Sequence, residues 1–259
     1  MLVEGKVAIV SGAGAGLGRA VCVRLAAQGA KVVVSDRDGA AVQASVSAVQ
    51  EGGGSAIGVV ADITDRSQCD AAIAQALAHF GQLDILVNDA YDGGDFSRFA
   101  DADLARWRAV SDVNVFGTLT MTQAALGALR ASGSGRIVMV CTHGVEVIQP
   151  SFGAYTGSKA ALAHHTKLLA AELGAEGIRV NAVFPGPIFG VNLQDYFDAQ
   201  AVARGVDTEI VSAEFRAKNA MNELVTADAV ADCVVFLASD LSRTLTGQAL
   251  YANAGESFH

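Results

Sequence analysis

The chain has 259 residues, of which 51% are apolar and 17% are charged. This length and composition suit one large domain with a sizeable core, and they exclude a disordered, coiled-coil or collagen-like chain. The 27 acidic and 18 basic side chains give a formal net charge of -9, and the basic residues form no cluster. Because nucleic-acid binding needs such a cluster, we expect no nucleic-acid partner.

The sequence shows neither a membrane-spanning segment nor a signal peptide. No apolar run reaches the roughly 18 to 20 residues that a membrane span requires. Residues 1–6 lead directly into an apolar segment, without a basic region followed by a small-residue cleavage site. We therefore expect a cytoplasmic protein that binds no membrane. The four cysteines are far apart and form no CxxC motif, so we expect free thiols and no metal site.

Short runs rich in Val and Ile alternate with Ala-rich segments of helical length. The predicted strands cover 7–10, 31–35, 56–61, 83–88, 136–141, 179–183 and 249–252. The predicted helices cover 17–28, 39–50, 66–80, 101–130, 154–173 and 227–238. Strands that are apolar at nearly every position are buried on both faces, and their alternation with helices requires parallel crossovers. The pattern predicts an α/β fold, a doubly wound, parallel, seven-stranded sheet between two layers of helices.

No linker or repeat divides the chain, so residues 1–259 are expected to form a single domain. The segment at about 186–223 is more polar and fits no strand–helix unit. We expect it to be a lid over the carboxyl ends of the strands, where such sheets bind their ligands.

A glycine-rich segment connects the first predicted strand to the first predicted helix, with glycines at Gly12, Gly14, Gly16 and Gly18. Glycines there let the backbone approach a pyrophosphate, and a helix start stabilises its negative charge. The spacing matches the common dinucleotide fingerprint only in part. An ordinary glycine-rich turn is the alternative interpretation.

The second predicted strand is followed by Asp36 and Arg37. A carboxylate at this point can accept hydrogen bonds from the hydroxyls of an adenosine ribose and repel a 2′-phosphate, which favours NAD over NADP. Arg37 can instead pair with a phosphate, or it is a solvated loop charge. Asp62 and Ile63, after the third strand, are expected beside the adenine.

Tyr155 and Lys159 are four residues apart on a predicted helix, so their side chains share one face. A phenol with a pKa of about 10 is a poor acid–base near neutrality, and an adjacent ammonium group lowers that pKa. The alternative is an interfacial tyrosine beside a lysine whose stem lies on apolar surface.

In this order and spacing the motifs resemble the short-chain dehydrogenase/reductase family, in its single-domain form. The resemblance runs from the glycine segment through Asp62, 86–88, Asn114, Tyr155 to Lys159, 180–181, 185–186 and 246–248. It implies a Rossmann fold and an NAD-dependent alcohol dehydrogenase or ketoreductase. It also implies a homotetramer with the helices at 102–130 and 154–173 at one interface.

The resemblance also implies roles for individual residues. Tyr155 would be the general acid–base, and Lys159 would hold the nicotinamide ribose and lower the tyrosine pKa. Asn114, at a kink in its helix, would hold a water that links Lys159 to solvent. The other residues implied at the cofactor are Ser11, Gly12, Gly14, Gly16, Leu17, Gly18, Asp36, Arg37, Asp62, Ile63, Asn88, Ala90, Pro185, Gly186 and Ile188.

Three positions depart from the family pattern. Thr142 stands where the family has serine, and its hydroxyl can donate to the same carbonyl oxygen. The alternative is that His143 supplies this polar contact. Tyr91 replaces a glycine, and we expect its ring to line the mouth of the pocket. Gly190 replaces a threonine that often binds the carboxamide.

The candidate substrate-pocket side chains are mostly aromatic: Tyr91, Phe96, His143, Phe152, Phe189, Tyr196 and Phe197. Such a lining suits a hydrophobic secondary alcohol, alicyclic or aromatic, and its ketone. The lid has three basic residues, Arg204, Arg216 and Lys218, against five acidic ones, so nothing there favours an anionic carrier. Two alternatives stay open: a ketoreductase of 3-oxoacyl groups on a carrier protein or coenzyme A, and a non-catalytic NAD(H)-binding regulator. A lyase of the halohydrin dehalogenase type is disfavoured because the glycine loop and Lys159 are both present.

Overall fold

The computed structural model describes residues 1–258. Its strands are β1 (Val7–Ser11), β2 (Lys31–Asp36), β3 (Ser55–Val60), β4 (Ile85–Asn88), β5 (Arg136–Val140), β6 (Arg179–Pro185), β7 (Ile188–Phe189), β8 (Val225–Thr226) and β9 (Ala249–Ala252). Its α-helices are α1 (Leu17–Ala27), α2 (Gly39–Glu51), α3 (Arg66–Phe80), α4 (Leu104–Ser111), α5 (Thr118–Ala131), α6 (Gly153–Leu173), α7 (Val191–Arg204), α8 (Thr208–Arg216) and α9 (Ala227–Ala238).

Seven of the strands form one parallel sheet in the order β3-β2-β1-β4-β5-β6-β9. Every residue of β1 and β5 is buried, as expected for parallel strands covered on both faces. One core cluster packs α1, α2 and α9 against one face, and a second packs α3, α5 and α6 against the other. The predicted doubly wound, three-layer α/β fold is confirmed.

The sheet order reverses direction between β1 and β4, because the chain runs outward from β1 to β3 and then returns to pair β4 with β1. In such sheets the crevice at the carboxyl ends of the two central strands is the ligand-binding position. Asn88 closes β4 at this edge, and its side-chain amide donates to Thr122 Oγ1 of α5 at 3.0 Å.

The helix predicted over 101–130 is not continuous. It is divided into α4 and α5 by a π-helical segment, Asp112–Gly117. Asn114 lies inside this segment and is fully buried. The wider π turn admits one extra residue and so turns this polar side chain inward, at the position where the resemblance implied a kink. The single helix expected over 101–130 is corrected to two helices joined by this segment.

The lid segment, which fits no strand–helix unit in the sequence, contains β7, α7 and α8. Its own small core consists of Phe197, Ala201 and Val211. Helix α7 buries only Phe197 and Ala201, so its apolar stripe is too narrow to give a clear helical pattern in the sequence. Asp207 caps α8 by accepting from the Glu209 N–H at 2.8 Å.

The four cysteines are free thiols. None of the helices within residues 1–258 is both long and apolar enough to cross a bilayer. In the same range, no group of three or more His, Cys, Asp or Glu side chains is arranged to hold a metal ion.

Candidate active site

Two adjoining cavities lie at the carboxyl ends of the strands. The smaller, about 340 Å³, lies between the glycine loop and the ends of β2 and β3. The larger, about 860 Å³, lies beneath the lid and contains Tyr155 and Lys159. Gly12, Asp89 and Tyr91 are among the residues that line both cavities, so the two form one continuous cleft.

The glycine loop is packed so tightly that side chains are excluded. A Cβ at Gly12 would lie 2.3 Å from the Ala90 nitrogen, and one at Gly18 would lie 2.2 Å from the Gly12 carbonyl oxygen. Gly16, with φ +88°, has open space where its Cβ would project. It precedes α1 without a side-chain cap, and no acidic residue occupies the first turn of that helix. The uncapped amides at this helix start suit a pyrophosphate, so the loop fits a dinucleotide.

The smaller cavity has the features expected for an adenosine. Among the predicted residues it is lined by Gly12, Gly14, Asp36, Arg37, Asp62, Ile63 and Ala90. The Asp36 carboxylate accepts from the Asp38 N–H at 3.0 Å, and a Cβ at Gly14 would lie 3.0 Å from Asp36 Oδ2. The carboxylate is therefore held over the glycine loop at the position that sequence analysis assigned to the ribose.

The other predicted cofactor residues fall into two groups. Those that line the larger cavity are Gly16, Leu17, Tyr155, Lys159, Pro185, Gly186 and Ile188. Ser11, Gly18 and Asn88 line neither cavity. The side chains of Ser11 and Asn88 are buried, and Asn88 bonds to α5, so these residues support the loop rather than face the cleft.

The candidate catalytic side chains meet in the larger cavity. Tyr155 and Lys159 lie one turn apart on α6, and Lys159 Nζ is 6.0 Å from the centroid of the Tyr155 ring. The buried Lys159 ammonium donates to the Val140 carbonyl at 2.6 Å, at the end of β5. Thr142 lies close enough to Tyr155 for its side chain to affect the pKa of the phenol, and Thr142 Oγ1 accepts from the Gly144 N–H at 3.1 Å.

Burial dominates the proton affinities of this cluster. It raises the pKa of the Tyr155 phenol, and the neighbouring Tyr91 raises it further, whereas the Thr142 side chain acts to lower it. Burial also lowers the pKa of Lys159, against the opposing effects of Cys141 and Asp89. Burial therefore outweighs the lowering of the Tyr155 pKa that was expected from Lys159. A positive charge brought into this cavity would oppose the effect of burial.

Asn114 connects the loop after β4 to α6. Its Oδ1 accepts from the Asp92 N–H at 2.6 Å, and its Nδ2 donates to the Asp92 carbonyl and to Ser158 Oγ, both at 2.9 Å. Ser158 directly precedes Lys159, so Asn114 fixes the helix turn that carries the lysine. Its link to Lys159 through a water stays a prediction.

Tyr91 points its ring at the catalytic pair. The ring centroid lies 5.9 Å from that of Tyr155 and 5.7 Å from Lys159 Nζ. The residue is 57% exposed and lines both cavities. The ring therefore lies where the cofactor half and the substrate half of the cleft meet.

Asp89 is a residue that the sequence analysis did not select. It lines both cavities although it is only 6% exposed. Its Oδ2 would lie 2.9 Å from a Cβ at Gly18, so the carboxylate is packed against the first turn of α1. Burial raises the pKa of Asp89 to about 7, Lys159 acts to lower it, and Asp36 adds to the increase. The sequence signal that could have pointed to Asp89 is its position directly after Asn88, in a segment that reaches the cleft.

His143 lines the larger cavity, but both of its ring nitrogens face protein atoms. Nδ1 is 3.2 Å from the Pro185 carbonyl oxygen, and Nε2 is 3.0 Å from Glu256 Oε2. Nδ1 is thus engaged by the Pro185 carbonyl, whereas Nε2 lies beside Glu256 without a hydrogen-bond partner among the described residues, and the choice between Thr142 and His143 for the substrate contact stays a prediction. Glu256 also lines the cavity, and no motif in the sequence singled it out.

The aromatic candidates divide into lining and core residues. Phe152, Phe189 and Tyr196 line the larger cavity. Phe197 does not: it is 1% exposed and its ring packs 5.2 Å from that of Phe215, so its assignment to the pocket is corrected to the lid core. Phe96 also lies outside the lining and packs against Phe152.

Comparisons with known proteins agree with this geometry. A family model described as "Enoyl-(Acyl carrier protein) reductase" matches residues 12–257. The chain is 35% identical to the short-chain reductase protein NovJ of Streptomyces niveus, over 96% of this chain and 93% of that protein. The chain belongs to the short-chain dehydrogenase/reductase family.

Two further relatives have names that describe them as dehydrogenases of alcohols carried on a ring. Cis-4-hydroxycyclohexanecarboxylate dehydrogenase of Sinomonas cyclohexanicum is 35% identical, with 96% of each chain covered. The 7alpha-hydroxysteroid dehydrogenase of Escherichia coli K12 is 31% identical, over 97% of this chain and 94% of that protein.

Among solved structures, NAD+-bound xylitol dehydrogenase has a TM-score of 0.88 at 27% identity, covering 96% of this chain and 98% of that one. Levodione reductase has a TM-score of 0.89 at 27% identity, with 98% of each chain covered. The protein is an oxidoreductase of the family, and these comparisons support a nicotinamide cofactor.

Proposed function

We propose that this protein uses NAD to interconvert a hydrophobic secondary alcohol, alicyclic or aromatic, and its ketone. The observation that carries the proposal is that Tyr155, Thr142 and the buried Lys159 meet in one cavity, with Tyr155 and Lys159 one helical turn apart on α6. This cluster opens into a largely apolar cavity that continues into the dinucleotide-shaped cleft.

Bound NAD would supply the hydride acceptor and a positive nicotinamide ring. In the oxidative direction Tyr155, as the phenolate, takes the hydroxyl proton of the alcohol. The Thr142 hydroxyl donates to the same oxygen and holds it beside the tyrosine. Lys159 binds the nicotinamide ribose, and its charge, with that of the ring, stabilises the phenolate against the effect of burial. Thr142 lies beside Tyr155, and Asn114, bonded to Ser158, positions the turn of α6 that carries Lys159.

The preference for NAD over NADP rests on Asp36, whose oriented carboxylate would accept from the ribose hydroxyls and repel a 2′-phosphate. Arg37 is the feature that favours NADP, since it lines the same cavity and forms no ion pair with the described residues. Asp36 lies closer to the glycine loop, and the solved xylitol dehydrogenase structure with NAD+ supports the same choice.

The substrate class follows from the lining of the larger cavity. Phe152, Phe189 and Tyr196 offer flat apolar surfaces, as rings and fused rings require. The relatives named for a hydroxysteroid and a hydroxycyclohexanecarboxylate support this choice. A 3-oxoacyl reductase acting on a carrier protein or coenzyme A is the second candidate, favoured by the acyl carrier protein in the description of the family model.

We also propose a homotetramer. Leu104 of α4, Phe116 of the π segment and Leu168 of α6 are exposed apolar side chains on the helices assigned to the interface. Light scattering on the purified protein should give the mass of four chains, and a monomeric mass at micromolar concentration would contradict the proposal.

The function is tested by mixing the protein with NAD and a panel of cyclic, aromatic and aliphatic secondary alcohols, and following NADH fluorescence. NADH should form with at least one ring alcohol, and more slowly when NADP replaces NAD. Reduction confined to 3-oxoacyl thioesters would select the second candidate. Cofactor binding without turnover of any alcohol, ketone or thioester would leave the non-catalytic regulator and contradict the proposal.

A further inference from the structure

The three basic side chains of the lid differ in their partners. Arg204 donates to both carboxylate oxygens of Glu214, at 2.7 and 2.8 Å. Arg216 donates to Glu209 Oε1 at 2.6 Å. Lys218 forms no ion pair with any residue in 1–258. Lys218 is therefore the basic residue of the lid that has no ion pair among the described residues.

Lys218 is positioned at the larger cavity. It follows α8, and its Nζ lies 4.9 Å from the centroid of the Phe215 ring. That ring packs in turn on Phe197 in the lid core. Lys218 and Phe215 both line the cavity that contains Tyr155. The cation is therefore placed against a fixed aromatic surface at the cavity.

The other ionisable groups of this cavity lie close to protein partners. Asp89 and Lys159 influence each other's pKa at the cofactor end. His143 lies between two acceptor groups, the Pro185 carbonyl and the Glu256 carboxylate. Glu214 is close enough to Lys218 for its pKa to be affected, but both of its oxygens are bonded to Arg204.

We propose that Lys218 binds a carboxylate on the substrate, so that the substrate is a hydroxy acid or keto acid with an apolar ring between its two polar ends. The carbinol or carbonyl oxygen would lie at Tyr155, the ring against Phe189 and Tyr196, and the carboxylate at Lys218. A charge-assisted hydrogen bond from the Lys218 ammonium to the carboxylate supplies the affinity. This inference rests on the proposed function and specifies its substrate class.

The first test compares two substrates that differ in charge alone, 4-hydroxycyclohexanecarboxylate and 4-hydroxycyclohexanecarboxamide. The wild-type protein should favour the carboxylate in kcat/KM by roughly tenfold, mainly through KM, because the interaction lies away from the reacting carbon. K218M should remove this preference and leave turnover of the carboxamide unchanged. K218R should retain most of it, and added salt should weaken it in the wild type.

K31M is the matched control, because Lys31 is also exposed and its Nζ lies 5.7 Å from the centroid of the Phe80 ring. Lys31 begins β2, at the opposite end of that strand from Asp36, and should not affect the preference. Equal kcat/KM for the two substrates in the wild type, or a preference that survives in K218M, would overturn the role of Lys218 while the dehydrogenase function stands.

The second readout does not depend on turnover. Calorimetry of the NADH complex should show tighter binding of cyclohexanecarboxylate than of cyclohexanecarboxamide, by about tenfold in the wild type and not in K218M. Binding of the carboxylate that depends on Lys218, without oxidation of any alcohol, would support the anion site and contradict the proposed function. Equal binding of both probes by the wild type and K218M would overturn the anion site.

Discussion

The two halves of the cleft are built by different means. The cofactor half is mainly backbone: the Ala90 nitrogen, just after β4, lies within 2.3 Å of where a Cβ at Gly12 would project, and the ends of β1, β2 and β4 border this half. The substrate half is mainly side chains, contributed by α6, the loop after β5, the lid and the segment after β9. Close backbone approach restricts residue type at fixed spacing, whereas an apolar cavity accepts many side chains. The first half therefore leaves a motif in the sequence and the second does not.

The largest expected effect lies where the two halves meet, at Tyr155. Tyr155→Phe removes the hydroxyl that exchanges the proton and keeps the ring, so kcat should fall by roughly 10³-fold while NADH affinity stays within about threefold. Single-turnover kinetics and fluorescence titration measure the two quantities. A kcat reduced by less than about tenfold would show that another group moves the proton.

Thr142→Val tests the substrate half alone. The change keeps the shape of the side chain and removes the hydroxyl that we propose to donate to the substrate oxygen, so kcat should fall by about 10²-fold at unchanged NAD affinity. Thr142→Ser should retain activity and serves as the control. Full activity in the valine variant would indicate that His143, and not Thr142, makes the polar contact with the substrate oxygen.

Asp36→Ala tests the cofactor half alone. Removing the carboxylate loses the ribose contacts and the repulsion of a 2′-phosphate, so the ratio of kcat/KM for NAD to that for NADP should fall by roughly 10- to 100-fold. The same variant should keep its relative rates among alcohols. An unchanged ratio would assign cofactor choice to Arg37.

Asp89 is expected to destabilise the fold in a pH-dependent way. Its pKa is raised by burial to about 7 in the folded protein, against about 4 in an unfolded chain. Between these values a rising pH ionises the unfolded state first, so the free energy of unfolding decreases as pH rises and the loss is complete above about 7.

Asp89→Asn should remove this loss. Three pKa units correspond to about 4 kcal/mol, so the unfolding free energy of the variant relative to the wild type should rise by up to about 4 kcal/mol between pH 4 and pH 8. Urea unfolding across this range measures it, with Asp38→Asn as an exposed control. A difference independent of pH would contradict the assignment.

The sequence predicted some features of the fold and the site and missed others. Strands buried on both faces, such as β1 and β5, predicted the sheet because that burial demands uninterrupted apolar runs. The kink at Asn114 was implied only by the family resemblance, because the bonds of Asn114 to Asp92 and Ser158 join segments distant in the chain. Phe197 was misplaced because an aromatic residue in a polar segment suits a pocket and a small lid core equally well.

Two site residues could not be found from local pattern. Asp89 becomes unusual only once it is buried against the start of α1, and Glu256 only once the segment after β9 brings it to His143. Both depend on contacts between remote segments, which spacing along the chain does not encode. The roles of Tyr155, Lys159, Thr142 and Asp36 stay predictions until they are measured.

The most direct test of the account is isotope transfer. A ring secondary alcohol carrying deuterium at its carbinol carbon is mixed with the protein and NAD, and the coenzyme is examined by mass spectrometry. We predict that the deuterium appears in the reduced coenzyme, on one face of the nicotinamide ring, and that Tyr155→Phe abolishes the transfer at saturating NAD. Coenzyme that binds but acquires no deuterium from any alcohol of the panel would contradict the account.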